Sequence, residues 1–443
     1  SQDTDLAREK TDQGLVPAPE DITVEGLLNE HDLPLEGPPC ERELCIGAAY
    51  AITPTLVEQR AAIYLQFGFS SGIDGATFRR SPLNLSVVVD RSGSMDGTKL
   101  WSVRTALNRL LDQLDERDRL SIVLFDDAVD LLVESTPVND REAIRARIAE
   151  ITARGATDMA AGLQRGFEQV SAYAGQQGVA DRVMIFTDAM TNTGDTATTT
   201  FVELAAANAA KGIGLTVFGV GIDLNQDLVL AISKLRGGNY YFLEDSEKIA
   251  SVFSVDFDYL VTPLAHDLRL VLKPQPGFHL GRVFGYSSCS SGCEGVEIDV
   301  KTVFLSQNRG AIVAQIDRAG VWPSGKPPIA KLELSYTRPS DGETVRETLD
   351  TQYDGAESLC DETMFYSHRA VRKTAALVNE ALAMHRACDL YWNYQDPRTA
   401  LKILQRAIEL LLSEAEILDD SNLEDEAALV DQLADNIRNA ADL

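Results

Sequence analysis

Several features that would place this chain in a common functional class are missing from its sequence. No apolar run reaches about 18 residues, the length that predicts a membrane-spanning helix. Basic residues are few, since 40 Lys and Arg stand against 68 Asp and Glu and the net charge is -28. A charge of this sign repels phosphate backbones and anionic lipid. We therefore expect neither a transmembrane segment nor a nucleic-acid partner.

Motifs of several common enzyme classes are also missing. The sequence contains no Walker phosphate loop and no H-E-x-x-H metal motif. Histidine, a frequent proton carrier and metal ligand, occurs at five dispersed positions that predict no cluster: His31, His266, His279, His368 and His385. We therefore expect a non-enzymatic protein with no catalytic residues.

Cysteine is absent between residues 46 and 288, and the six cysteines form three loose groups in the flanking regions. An even number in such groups favours disulfides in an oxidising compartment. Free buried thiols and a four-thiolate zinc site remain alternatives. Neither Cys40 with Cys45 nor Cys289 with Cys293 has the two-residue gap that is common in structural zinc sites. The candidate disulfide cysteines are Cys40, Cys45, Cys289, Cys293, Cys360 and Cys388.

A chain of 443 residues exceeds what one hydrophobic core usually fills, so several domains are expected. The first segment has no aromatic residue and an acidic excess, which predicts poor packing. Strand-like sequence occurs on both sides of a central α/β region, which predicts that this region is inserted into a β-sandwich. The predicted units are an acidic flexible lead-in at 1–39, strands joining the β-domain at 40–81, an α/β domain at 82–262, an antiparallel β-domain at 263–358 and a C-terminal helical hairpin or bundle at 359–443.

The central region alternates short apolar runs with amphipathic segments. Strands that are apolar throughout, separated by helices, predict a mostly parallel sheet covered on both faces. This is a doubly wound, Rossmann-like α/β fold. The predicted strands are Leu83 to Val89, Leu120 to Phe125, Val183 to Thr187, Leu215 to Val220 and Tyr240 to Leu243.

Oxygen-bearing side chains follow the first of these strands. Asp90, Ser92 and Ser94 alternate along a loop in which Gly93 permits a tight turn. In an open parallel sheet, ligands bind beyond the carboxyl ends of the strands, where this loop lies. Carboxylates and hydroxyls are hard donors that suit Mg2+, Mn2+ or Ca2+ rather than zinc. Thr157, in a loop before a helix, and Asp188, at the end of a central strand, add one donor each.

These positions resemble, residue for residue, the metal-ion-dependent adhesion site of the von Willebrand factor A-domain family: Asp90, Ser92, Ser94, Thr157 and Asp188. The resemblance covers roughly residues 82–262. It implies a divalent cation, Mg2+ first with Mn2+ and Ca2+ as alternatives. The serines and threonine would be direct ligands, and the carboxylates direct or water-bridged ones. It also implies that a protein partner presents Asp or Glu to the metal, and that a helix near residues 248–259 shifts on binding, as in integrin members. Helix capping without metal is the alternative interpretation.

Three functions are compatible with these observations. The first is a divalent-cation-dependent binding or adhesion protein, similar to bacterial family members in which the A-domain is joined to a β-domain and a helical tail. Such a protein would be periplasmic, outer-membrane-anchored or at the cell surface, and a start at Ser1 is consistent with a removed leader. The second is an intracellular adaptor for an ATPase or assembly machine. The third and weakest is a metal-dependent hydrolase, since a hydroxyl-rich site offers no suitable general base.

Three further acidic residues lie near predicted strand or loop ends in the α/β region. They are Asp126, Asp127 and Asp158. We expect them to be solvated loop carboxylates, and the alternative is that they tune the charge of the site or contact a partner.

Overall fold

The structure is a computed structural model. It describes residues 2–35, 39–73, 78–188, 195–221, 231–243, 249, 252–253, 257–284, 295–305 and 312–442. The helices are α1 Gln2–Asp12, α2 Val24–Glu30, α3 Thr98–Gln113, α4 Arg141–Ala149, α5 Met159–Ser171, α6 Asp195–Ala209, α7 Phe257–Leu260, α8 Val371–Trp392, α9 Pro397–Leu418 and α10 Ser421–Ala440. The strands are β1 Cys45–Pro54, β2 Ala61–Ser70, β3 Leu83–Asp90, β4 Arg119–Phe125, β5 Val129–Pro137, β6 Ala180–Thr187, β7 Gly214–Val220, β8 Gly238–Leu243, β9 Pro263–Pro274, β10 Phe278–Phe284, β11 Val296–Phe304, β12 Ile312–Arg318, β13 Pro328–Thr337, β14 Thr344–Gln352 and β15 Phe365–Tyr366.

The central α/β domain is built on a six-stranded sheet in the order β5-β4-β3-β6-β7-β8. Every neighbouring pair is parallel except β4 and β5, which are antiparallel. The predicted doubly wound, mostly parallel fold is therefore confirmed. The edge strand β5 was not predicted, because none of its residues is fully buried and its sequence lacks the continuous apolar run of the others.

Both faces of this sheet are covered by helices, and β3 is buried along its whole length. Val87 and Val89 pack on the face shared with α3 and α4, whereas Val88 packs on the face shared with α5 and α6. Close packing of α5 depends on a small residue at Gly166, where an added Cβ would lie 2.4 Å from Val88. Burial on both faces explains why the strands read as uniformly apolar.

Two antiparallel sheets form a β-sandwich beside the α/β domain. Their strand orders are β10-β12-β2-β1-β15 and β11-β9-β13-β14. β2 precedes the α/β domain in the chain and pairs with β12, which follows it, through contacts such as Ile63 with Ile316. The α/β domain is thus inserted between β2 and β9, and the apolar inner faces of the two sheets share one core.

The helices α8, α9 and α10 follow the sandwich. The sequence predicted a C-terminal helical hairpin or bundle, and the structure has three helices here, the last of which extends over 20 residues. The predicted flexible lead-in is wrong for residues 2–35, because α1 and α2 pack on these C-terminal helices. Leu27 and Leu28 are almost fully buried there, and Asn436 Nδ2 donates to the carbonyl oxygen of Thr11. Within the described ranges, no helix is long and apolar enough to cross a lipid bilayer.

The cysteines agree only in part with the predicted disulfides. Cys40 and Cys45 are bonded to each other. Cys360 and Cys388 are free thiols, the first exposed and the second buried in α8, so the structure corrects the expectation of a disulfide for these two. Cys289 and Cys293 lie outside the described residues.

Candidate metal centre

Asp90 is the last residue of β3, and its carboxylate joins two neighbouring strand ends. Oδ1 accepts a hydrogen bond from the Ser92 backbone N–H at 2.8 Å, and Oδ2 accepts one from the Thr187 hydroxyl at 2.6 Å. Burial raises the pKa of Asp90, and the nearby Asp188 carboxylate adds to this, while the bonds from Ser92 and Thr187 oppose it. Asp90 therefore fixes the loop after β3 against the end of β6.

Three of the predicted ligands make direct contacts with one another. Ser92 Oγ lies 3.1 Å from Ser94 Oγ, and the Ser94 hydroxyl donates to Asp188 Oδ1 at 2.9 Å. They meet because β3 and β6 are parallel neighbours whose carboxyl ends lie at one edge of the sheet. The structure thus brings together four of the five predicted residues: Asp90, Ser92, Ser94 and Asp188.

Thr157 lies close in the fold but is separate from this group. Its side chain is exposed, and no hydrogen bond in the described structure joins it to the other four. Its loop is nevertheless fastened to the loop after β3, because Gly93 N–H donates to Gly155 O at 3.1 Å and Arg154 N–H donates to Arg91 O at 2.7 Å. The fifth predicted ligand is therefore on an adjacent, attached loop.

A buried ion-pair network supports these two loops. Asp126, at the end of β4, has no exposed surface, and its Oδ2 accepts from Arg91 Nε at 2.7 Å and from Arg154 Nε at 2.8 Å. Burial opposes ionisation of Asp126, but the bonds from Arg154, Ala128 N–H and Arg91 outweigh it and lower its pKa to about 2. The expectation of a solvated carboxylate is therefore wrong for Asp126.

The other two acidic loop residues differ from Asp126. Asp127 is exposed, as expected. Asp158 is also exposed but has a structural role, because it caps α5 by accepting a hydrogen bond from Ala161 N–H at 3.0 Å.

Lys99 is a residue of the site that sequence reasoning missed. It lies in the first turn of α3, and its Nζ donates to Asp188 Oδ2 at 2.6 Å. Its side chain is 39% exposed, whereas that of Asp188 is 5% exposed. Both carboxylate oxygens of Asp188 are therefore engaged, one by a serine and one by an ammonium group. The position of a lysine shortly after the second serine was the only signal for this contact in the sequence.

The donor chemistry of the site fits a hard dication. Within the described part of the chain, no group of three or more His, Cys, Asp or Glu side chains could hold a metal ion. A cation at this edge would therefore depend on hydroxyl oxygens as well as carboxylates, which are ligands that Mg2+ and Ca2+ accept and that soft metals do not prefer.

One serine pattern in the sequence matches the G-x-S-x-G form of hydrolase nucleophiles. It spans Gly68 to Gly72, and its Ser70 is the last residue of β2. A nucleophile elbow requires a sharp turn from strand to helix. Ser70 instead pairs with Cys45 of the antiparallel strand β1. This local structure is not that of a hydrolase nucleophile.

Comparison with known proteins identifies the central domain. Residues 84–255 match the family model of the von Willebrand factor type A domain. An uncharacterized protein of Synechocystis sp. is 31% identical over 236 residues, which cover 53% of this chain and 53% of that protein. The inter-alpha-trypsin inhibitor heavy chain H3 of Rattus norvegicus is 34% identical over 161 residues, which cover 34% of this chain and 18% of that protein. The chain thus spans about half, or less, of the length of these relatives.

The matches to solved structures are more distant in sequence. A von Willebrand factor type A structure from Catenulispora acidiphila has a TM-score of 0.49 and 13% identity, and the match covers 88% of this chain and 91% of that chain. The pilus adhesin SpaC from Lactobacillus rhamnosus GG has a TM-score of 0.35 and 14% identity, with coverage of 71% and 48%. The assignment of the central domain rests on the family match rather than on these similarities.

Proposed function

Because residues 84–255 form a von Willebrand factor type A domain, we propose that this chain binds a protein partner through a divalent cation held at the carboxyl end of β3. The observation that carries the proposal is the contact of Ser92, Ser94 and Asp188 at one edge of the sheet. Ser92, Ser94 and Thr157 would supply hydroxyl ligands, and Asp90 and Asp188 would supply carboxylates, directly or through water. Mg2+ fits this donor set first, with Mn2+ and Ca2+ as alternatives.

The exposure of the site supports a role in binding. Ser94 and Thr157 are exposed, whereas Asp90 and Ser92 are buried, so the surface of the site presents hydroxyls and the carboxylates lie behind them. When bound, the cation would supply positive charge and Lewis acidity for an Asp or Glu side chain of the partner. The protein itself orients the ligands through Thr187 and the backbone N–H of Ser92. This is an adhesion-type function and not a catalytic one.

We further propose that the protein acts outside the cytoplasm, at a cell surface or in an envelope compartment. The Cys40–Cys45 disulfide supports this location, because such bonds persist in oxidising environments. An intracellular adaptor for an assembly machine is the competing function. The two functions are distinguished by titrating the thiols of protein that is isolated from its native source and then unfolded without a reductant. Six free thiols would favour the adaptor.

The test of the proposed function compares the wild-type chain with the double variant Ser92→Ala, Ser94→Ala. Calorimetry is expected to detect Mg2+ or Mn2+ binding to the wild type and no binding to the double variant, because two direct ligands are removed. Capture of a partner from the native cell envelope should occur in Mg2+ and be lost in EDTA. The matched control removes two exposed serines elsewhere, Ser171→Ala and Ser413→Ala. Undiminished capture in EDTA would reject the proposal.

Lys99 gives a second prediction at the same site. Its ammonium group contacts Asp188 Oδ2 at 2.6 Å and would repel a dication beside that carboxylate. Lys99→Met is therefore expected to tighten Mn2+ binding by about tenfold, which corresponds to about 1.4 kcal/mol. Lys99→Arg, which keeps the charge, should remain close to the wild type. Weaker metal binding by Lys99→Met would mean instead that the lysine positions Asp188 for coordination.

A further inference from the structure

A second candidate site lies at the edge of the central sheet opposite to the metal centre. A cavity of about 680 Å3 opens there between the α/β domain and the β-sandwich. Its walls include Arg182 near the start of β6, Gly214 at the start of β7, and residues 261–264 and 266 at the beginning of the sandwich. Cavities between domains are common positions for small-molecule sites, and this volume lies within the usual range for them.

Arg182 is the central feature of this cavity. It is 3% exposed, and its Nη1 donates to Thr216 Oγ1 at 2.8 Å, Gly237 O at 3.2 Å and Asn239 Oδ1 at 3.3 Å. These acceptors are all neutral, and Nε has no hydrogen-bond partner. Within the described ranges, no carboxylate lies at ion-pair distance from this guanidinium group.

A buried cation without a counter-ion is costly. Burial disfavours the charged form of Arg182 and lowers the pKa of its guanidinium group to about 10. The aromatic ring of Phe304 lies 5.1 Å from the guanidinium carbon and offsets only part of the lost hydration. An anion in the cavity would supply the missing charge.

A second arginine adds positive charge to the same cavity. Arg236 is exposed and lines the wall. Burial and, after it, the charge of Arg236 lower the pKa of the neighbouring His266 to about 4. His266 is therefore neutral at physiological pH and adds no charge to the wall.

The other charged groups of the wall are engaged by protein groups, and among them Glu43 lies 3.6 Å from Arg338 Nε. Arg80 is paired with Asp118 at 2.6 Å and with Asp258 at 3.1 Å. Asp181 accepts hydrogen bonds from Asn84 Nδ2 at 2.7 Å and from Gly175 N–H at 2.8 Å. The positive charge that lacks a partner within the described residues therefore comes from Arg182 and Arg236.

Much of the remaining wall is apolar, with Ile73, Phe78, Val261 and Leu264 among its residues. An inorganic anion would fill only a small part of such a volume. We propose that the cavity binds a small organic acid, whose carboxylate faces Arg182 and Arg236 and whose apolar body packs against Phe78 and Leu264. This inference is independent of the proposed metal-dependent function.

The test uses the full chain and three probes: octanoate, its neutral counterpart octanamide, and inorganic phosphate. Octanoate is expected to bind at least about tenfold more tightly than octanamide, because only the acid supplies the counter-charge. It should also bind more tightly than phosphate, because only octanoate fills the apolar part of the cavity. Isothermal titration calorimetry measures all three affinities. Equal binding of acid and amide, preference for phosphate, or no binding of octanoate at millimolar concentration would each overturn the proposal.

Two variants locate the binding in this cavity. Arg236→Ala removes an exposed side chain and is expected to weaken octanoate binding by roughly fivefold while Mg2+ binding stays unchanged. Arg182→Met should abolish octanoate binding, and its fold is checked by circular dichroism. If Arg182→Met does not fold, Arg236→Ala and the acid-to-amide comparison decide the question. The matched control is Lys402→Ala, an exposed cation on α9. Loss of binding in this control, or no effect of Arg236→Ala, would refute the assignment.

Discussion

Replacing Asp126 with Ala is expected to lower the free energy of unfolding by roughly 3 kcal/mol and to weaken divalent-cation binding, because the change removes one partner of a buried ion-pair network. Asp126 has no exposed surface and joins Arg91 of the loop after β3 to Arg154 of the loop before α5. Without this carboxylate, Arg91 remains buried with less compensation, and the two loops that carry the candidate ligands lose a common anchor. Urea unfolding and calorimetry measure the two effects.

Asp130 provides the matched control for this prediction. It also contacts both Arg91 and Arg154, but half of its side chain is exposed. Asp130→Ala should therefore cost no more than about 1 kcal/mol. The pKa of Asp126 is lowered from 3.8 to about 2, so its contribution is present above pH 3.8 and is lost as the pH falls towards about 2. An Asp126→Ala protein within about 0.5 kcal/mol of the wild type at neutral pH would contradict the prediction.

Replacing Glu380 with Gln is expected to have the opposite effect and to stabilise the protein at neutral pH by roughly 1 to 3 kcal/mol. Glu380 lies in α8 with no exposed surface, and neither of its carboxyl oxygens accepts a hydrogen bond from a donor in the described structure. Burial first, and then the charge of Glu426, raise the pKa of Glu380 well above 4.5. Gln is neutral at all pH values, and its amide N–H group could donate to the unpaired Oε2 of Glu426.

The surroundings of Glu380 determine the pH dependence of this effect. Glu426 accepts a hydrogen bond from Arg8 at 2.7 Å and lies 3.0 Å from His31 Nε2, and Glu30 accepts from the same arginine. The raised pKa of Glu380 means that the folded state binds more protons than the unfolded state above pH 4.5. Stability from this group therefore falls as the pH rises, by at most about 1.4 kcal/mol per unit.

Unfolding in urea between about pH 5 and about pH 8 tests this prediction. The difference in unfolding free energy between Glu380→Gln and the wild type should grow as the pH rises. Glu426→Gln is the contrasting variant, because it weakens the contacts of residue 426 with Arg8 and His31. It is expected to destabilise the folded protein by roughly 2 kcal/mol. A Glu380→Gln protein that is less stable than the wild type across this range would show that the fold requires the carboxylate.

The fold of the central domain could be predicted because its signal is local. Strands buried on both faces, such as β3 and β6, have continuous apolar sequences, and the amphipathic segments between them have helical periodicity. The edge strand β5 lacks this signal. The N-terminal helices were missed for a related reason: their few apolar residues, including Leu27 and Leu28, are buried against α8 to α10, which lie more than 340 residues away in the chain.

The meeting of four candidate ligands could be predicted for a different reason, since Asp90, Ser92, Ser94 and Asp188 lie at or after the carboxyl ends of two parallel neighbouring strands. The groups that hold them could not. Arg91 and Asp126 are 35 residues apart, and Lys99 and Asp188 are 89 residues apart. Charged residues are frequent in this chain, and nothing in their local sequence indicates which of them pair. Thr157 shows the reverse case, because its sequence position matches the pattern while its hydroxyl makes no hydrogen bond to the other four residues in the described part of the chain.

The insertion of the α/β domain between β2 and β9 has a mechanical consequence. Both connections to the domain come from strands that are hydrogen-bonded within the sandwich, β2 to β1 and β12, and β9 to β11 and β13. The terminal helices α1 and α10 also pack against each other. Tension applied between α1 and α10 would therefore have to separate these helices and shear the sandwich strands before it stretched the backbone that carries Ser92 and Asp188. The backbone of the candidate metal centre is in this way shielded from such tension, whereas a force exerted through a partner bound there would act on it directly.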